Sequence, residues 1–322
     1  MTFIPAGPAL AAAALLLIGF SVGVCGAFFG VGGAFIATPA LNVLGFPLAY
    51  AIGTDLAHMA GKAAVAALRH RRMGHVDLRA AALLALGTIP GVRLGSAAIL
   101  TLEKAGRTDV YVRTVYILLL LVLGTLMLRG TRRKAQEGGA DRPKVTAGPR
   151  IPPMICLPRS GIRSVSAWVV IGIGLVTGFL AGFLGVGGGF IRMPALLYVL
   201  HMPVRVAVGT DLVEVVFSGA YGGYLYGRSG HVDLTAALIM LVGAALGSQI
   251  GAVATQYVES VRIRRLFAFT IFGTGTSVAM KQMHWNVPAM VTLFGLGLTM
   301  TATIIYRLVR SLRSQPVADT GS

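Results

Sequence analysis

Residues 28–41 read FFGVGGAFIATPAL, and residues 183–196 read FLGVGGGFIRMPAL. One glycine-rich apolar segment therefore occurs twice, and the match continues downstream. AIGTDL at 51–56 returns as AVGTDL at 207–212, and GHVDL at 74–78 returns at 230–234. The offset is 155 residues from Gly30 to Gly185 and 156 from Asp55 to Asp211, so one residue was gained in the loop ahead of Pro47 and Pro203. A doubled core in an apolar chain places two related halves around one central pathway.

Composition puts that core in lipid. Only 12% of the 322 residues are charged and 55% are apolar, against roughly 25% charged in an average soluble domain. The mean hydropathy is +0.78. Apolar runs at 8–29, 107–129, 164–184 and 287–306 each approach the ~20 residues that cross a hydrocarbon core. The 43 glycines suit helices that must approach closely where lipid supplies no hydrophobic drive. A net charge of +17 invites nucleic acid as a partner, but the Lys and Arg residues lie in short loops between apolar runs, which is the positive-inside pattern. Nucleic acid is therefore excluded as the expected partner, and the lipid bilayer takes its place. Cys25 and Cys156 have no metal-binding spacing, so neither a metal nor a cofactor is expected. The first apolar run lacks a basic leader, and its end, Phe28 to Gly33, belongs to the repeat. It reads as a membrane helix kept in the protein.

The expected fold class is all-α: a polytopic integral membrane protein of two five-element helical repeats, each with a short broken helix, plus one C-terminal helix. Residues 1–129 form the first transmembrane repeat and 164–283 the second. Residues 284–322 hold the C-terminal helix and a basic tail. Between the halves, 130–163 contain TRRKAQEGGADRPKVTAGPR and PP, a composition that reads as a disordered, cytoplasmic polar linker. The expected helices are 8–29, 34–45, 48–70, 78–101 and 108–129, then 164–184, 189–201, 204–227, 234–257 and 262–280, and last 287–310.

Charge tests the orientation of the halves. The loop 69–75 carries Arg69, Arg71 and Arg72, whereas its counterpart carries only Arg228. The loop 102–109 balances Glu103 and Asp109 against Lys104 and Arg107, whereas its counterpart sets Arg262, Arg264 and Arg265 against Glu259. With 69–75, the linker, 259–265 and the tail inside the cell, every strongly basic loop is cytoplasmic and the N-terminus lies outside. A same-way duplication would put one basic loop on the wrong side. Inverted repeats are therefore expected. The short helices, below spanning length, act with the glycine breaks as discontinuous or re-entrant crossings.

The doubled motif, Gly30-Val31-Gly32-Gly33 with Pro39 and Gly185-Val186-Gly187-Gly188 with Pro194, resembles the sulfite exporter TauE/SafE family. So do the Gly-Thr-Asp segment and the Gly-His-Val-Asp turn, over 15–125 and 170–280. The resemblance implies a multi-pass protein of the bacterial inner membrane that moves small anions, chiefly sulfite, sulfonates or related sulfur compounds. Both copies carry Asp (Asp55, Asp211) after Gly-Thr, where many relatives have Ser.

The residues themselves suggest how an anion is held. A helix beginning at Gly33 or Gly188 offers free N–H groups and the positive end of its dipole, and glycine permits close approach. The alternative is that these glycines only pack helices. The expected substrate-binding set is Gly30, Gly32, Gly33, Gly185, Gly187, Gly188 and Gly189, with Thr54 and Thr210 as hydroxyl donors and Arg192 as a bidentate guanidinium. Arg192 stands where the first copy has Ala37. Asp55, His58 and Lys62 share one helix face, and the second copy has Asp211, Glu214 and Ser218 there. Ionisable groups at membrane depth cost roughly 2.5–3.5 kcal/mol each and point to function. Asp55, Asp211 and Glu214 are the expected coupling site for protons or Na+, with His58 and Lys62 as charge partners, although a structural ion pair would use the same residues. Asp77 and Asp233 read as helix N-caps.

The function that follows is a secondary transporter of a small anion, exporting sulfite or an organosulfonate by alternating access. A channel-like anion pore or an uptake permease for another small organic anion is the alternative. No nucleophile or metal set supports an enzyme, and a homo-oligomer is compatible with the sequence.

Overall fold

The computed structural model describes residues 8–105, 108–136, 146–147, 151–185 and 187–314. Among them eleven α-helices follow in the expected order: α1 (Pro8–Phe29), α2 (Ala34–Val43), α3 (Leu48–Arg72), α4 (Leu78–Lys104), α5 (Thr108–Gln136), α6 (Ala167–Leu184), α7 (Gly189–Pro194), α8 (Val204–Arg228), α9 (Leu234–Tyr257), α10 (Ser260–Gln282) and α11 (Asn286–Ser314). Six of these (α1, α4, α5, α6, α9 and α11) contain a stretch long and apolar enough to cross a membrane. Helices α3 and α8 have the length, with 25 residues each, but bury ionisable side chains at their centres.

Two expectations need correction. The segment 189–201 is not one regular helix: α7 passes into a π-helical turn, Ala195–Val199, where Leu200 N–H donates to the Ala195 carbonyl 3.1 Å away. Pro194, at the junction, has no N–H to keep the regular ladder going. Second, the linker is not wholly without structure. Residues 137–145 and 148–150 lie outside the described residues, but β2 (Met154–Leu157) and β3 (Ile162–Ser166) pair antiparallel, and β1 (Thr146–Ala147) runs parallel to β3. The hairpin persists because Leu157, Ile162 and Val165 are buried and because it is tied to the helices. Ser160 donates to Asp77 Oδ2 through its hydroxyl (2.8 Å) and its amide (3.2 Å).

The two halves interlock. Helix α1 packs on α9, α4 on α6, α3 on α8 and α5 on α10, so four helices of each half meet a helix of the other. The first two contacts are lined with glycine. On α9, Gly243, Gly247 and Gly251 lie in turn against Leu16, Phe20 and Val24 of α1, so these helices run parallel; Gly87, Gly91 and Gly95 of α4 do the same along Ile171, Leu175 and Phe179 of α6. A Cβ at any of these glycines would overlap a backbone carbonyl of the facing helix. Helix α3 runs the other way against α8: Gly53 meets Tyr226, Ala57 meets Gly223, and Ala60 meets Gly219. Helix α11 closes the bundle against α10, α1 and α9.

Because these contacts are made backbone to backbone, Gly247→Leu should destabilise the purified protein by about 1–3 kcal/mol or more. Gly172→Ala, on the open side of α6 where an added Cβ meets nothing within 4 Å, should change stability by no more than about 0.5 kcal/mol. Thermal unfolding in detergent compares the two.

Candidate functional site

Both glycine loops are buried and share one backbone shape. Gly30, Gly32 and Gly33 have φ of 80, 68 and 71°, and Gly185, Gly187 and Gly188 have 72, 63 and 68°. A side chain in this left-handed region costs roughly 1–2 kcal/mol per residue, which explains three glycines at matching positions of each copy. Gly33 and Gly188 are the N-caps of α2 and α7, with no side-chain cap. The amides of Val31, Gly32 and Gly33 form no hydrogen bond among the described residues. Val186, in the second loop, lies outside them. The loops meet at Met59 of α3 and its counterpart Val215 of α8: a Cβ on Gly32 would lie 3.0 Å from both Met59 Sδ and Val215 Cγ1, and one on Gly187 2.6 Å from Met59 Sδ. The centre is thus plugged by two apolar side chains.

The five ionisable candidates fall into two clusters, every member at most 2% exposed. In the first half Asp55 accepts from Thr38 Oγ1 (2.7 Å), and its other oxygen lies 3.0 Å from His58 Nδ1. The Lys62 ammonium has no hydrogen-bond partner among the described residues. In the second half Arg192 is engaged on all sides. It donates to Asp211 Oδ1 (2.9 Å), Thr177 Oγ1 (3.2 Å) and the Gly187 carbonyl (3.1 Å), and it contacts Glu214. Gly189 is glycine for a local reason: a Cβ there would sit 2.6 Å from Asp211 Oδ2. The guanidinium expected to face an anion is held by internal carboxylates instead.

Thr54 and Thr210, beside Asp55 and Asp211 in sequence, turn their hydroxyls to the opposite half. Thr54 Oγ1 accepts from the Asp233 amide, and Thr210 Oγ1 accepts from the Asp77 amide, both at 3.0 Å. The two aspartates in turn cap α4 and α9 through the amides of Ala80 (3.3 Å) and Ala236 (2.9 Å), as the sequence predicts. The Gly-Thr-Asp segment of each half therefore clasps the Gly-His-Val-Asp turn of the other. Close approach explains the glycines too: a Cβ at Gly53 would overlap the His231 carbonyl, and one at Gly209 the His75 carbonyl. The threonine hydroxyls are thereby engaged in the cross-half clasp.

Three groups at the site were not among the expected residues. Thr38, Thr177 and the plug residue Met59 each sit where the two copies differ or where the residue is apolar, so the repeat gave no signal for them. Thr38 also lines a narrow cavity of about 20 Å³ with Asn42, Arg113, Tyr116, Ser277 and Lys281, about the room one water needs. Arg113 donates to Asn42 Oδ1 at 3.2 Å.

Interlocked apolar helices around buried charge and doubled glycine loops define a multi-pass membrane protein. The family model described as "Sulfite exporter TauE/SafE" matches residues 15–278, and the chain belongs to that family. It is a transporter family and not an enzyme family. Relatives include a "Probable membrane transporter protein" of Xylella fastidiosa (strain 9a5c), 29% identical over 81% of this chain and 91% of its own length. YunE of Bacillus subtilis (strain 168), named in the same words, is 28% identical over 77% and 90%. MJ0441 of Methanocaldococcus jannaschii, also a probable membrane transporter protein, is 23% identical over 78% and 88%. No solved structure matches the chain.

Removing Arg192 strands two buried carboxylates, so Arg192→Met should cost about 3–5 kcal/mol of stability. Adding Glu214→Gln should recover part of that loss, and thermal unfolding of the single and double variants reads the difference. Thr54→Val leaves the Asp233 amide without its acceptor and should cost about 1–3 kcal/mol, measured in the same way.

Proposed function

We propose that the protein is a secondary transporter that exports a small sulfur oxyanion, sulfite or an organosulfonate, by alternating access between two inverted halves. The observation that carries this reading is the pair of left-handed glycine loops, one with unpaired amides, set beside buried charge at the crossing of α3 and α8. Irregular backbone at membrane depth is tolerated only where it is buried in protein or lines a watery cavity, and helix N-termini favour anions. The antiparallel run of the equivalent helices α3 and α8 supports inversion, as does the exchange of partners between α1–α9 and α4–α6.

In this mechanism the anion sits between the loops once Met59 and Val215 move aside. Gly30, Gly32, Gly33 and Gly185, Gly187, Gly188 shape its cradle. Lys62, buried and without a hydrogen-bond partner among the described residues, supplies the positive charge in the first half. Arg192 turns to the anion only when Asp211 and Glu214 release it. Two carboxylates against one guanidinium leave that cluster one negative charge in excess when all three are ionised, and a proton or Na+ would neutralise it. Substrate and coupling ion then act through the same three side chains. Asp55 with His58 forms the matching cluster of the first half. Arg69, Arg71, Arg72, Arg205, Arg262, Arg307 and Arg310 share the face to which the hairpin is tied, and the positive-inside rule makes that face cytoplasmic in a bacterial inner membrane.

Counterflow in proteoliposomes tests the carrier reading: labelled sulfite should accumulate transiently against a gradient of unlabelled anion on the other side. Simple equilibration would establish the channel-like alternative. Lys62→Gln should raise the half-saturation concentration about 10-fold or more, the value of a hydrogen bond to a charged group. Asp211→Asn should flatten the dependence of flux on pH, and an unchanged profile would exclude coupling through this carboxylate.

A further inference from the structure

Outside the central site, a polar cleft of about 370 Å³ opens between the end of α9, the start of α10 and the last turns of α11. Its walls carry Arg262, Arg307 and Arg310, with Tyr257 and Tyr306 beside them. Arg262 is held by Glu259 at 3.0 Å. Arg307 and Arg310 have no ion-pair partner among the described residues, and Arg307 Nε is buried with no hydrogen bond. The cleft thus holds three cations against one carboxylate. A net positive hollow of this size lies within the 300–1,000 Å³ range of small-ligand sites.

Its depth points to the occupant. Tyr257 ends one spanning helix, and Arg307 and Arg310 lie in the last two turns of another, so the cleft stands at headgroup level. Tyrosines bordering arginines are the side chains of a membrane–water interface. Just inside the arginines α11 exposes Leu298 and Tyr306 toward lipid, a surface on which an acyl chain can lie. We propose that this cleft binds the phosphate of an anionic phospholipid, with Arg307 and Arg310 donating to the phosphate oxygens and the tails running down α11. Guanidinium groups suit that task because their forked donors match a phosphate's oxygens. The site is independent of the transported anion, since it touches neither glycine loop.

The test is lipid retention by the full-length protein in detergent, read by native mass spectrometry with phosphatidylglycerol and phosphatidylcholine offered in equal amounts. The wild type should retain phosphatidylglycerol in preference, and each arginine removed should lower that affinity about fivefold. The Arg307→Gln, Arg310→Gln double variant should lose the preference. Arg310→Gln alone, at an exposed position, gives the same reading if the double variant does not fold. Arg313→Gln removes an equal charge outside the cleft, and it should leave the preference intact. An equal loss in Arg313→Gln, or no loss in the cleft variants, overturns the proposal. Displacement of the lipid by millimolar inorganic phosphate alone would mark a site for a free anion and overturn the lipid assignment.

Discussion

Two helices can lock together in lipid only if their backbones come close, because hydrocarbon offers no hydrophobic reward for hiding an apolar side chain. The glycine ridges on α4 and α9 meet that constraint, and the rest of the molecule is arranged by it. Gly87, Gly91 and Gly95 bring α4 onto α6, and Gly243, Gly247 and Gly251 bring α9 onto α1. Each contact joins one half of the chain to the other. Neither half therefore completes its own bundle, and the central crossing of α3 and α8 is held from both sides.

That clamp lets the centre carry features that would otherwise be unstable. Six glycines in the left-handed region, loop amides without a partner among the described residues and two buried charge clusters all lie where the halves meet. The clasp between Thr54 and the Asp233 amide, and between Thr210 and the Asp77 amide, pins each turn to the opposite half.

The two glycine loops match in backbone angles but not in the charge beside them. Where the first copy places Thr38 on Asp55 and gives Lys62 no hydrogen bond among the described residues, the second places Arg192 among Asp211, Glu214 and Thr177. Two loops of one backbone shape therefore face unequal charge.

Much of this architecture was legible in the sequence. The apolar runs and the doubled motif located all eleven helices, because a spanning helix must satisfy its own backbone and so declares itself in composition. The positions needing glycine were also visible, since left-handed backbone penalises a side chain, and Asp77 and Asp233 capped the helices their position implied. Partnership was not visible. That Arg192 would turn to Asp211 and Glu214, that Thr54 would serve a turn 179 residues away, and that PPMICLPRSGIRSVS would fold as a hairpin beneath Asp77 depend on contacts between segments distant in sequence. Local pattern records what each stretch of chain can do alone; which buried charge finds which counter-charge is decided only when helices from both halves bring them within reach.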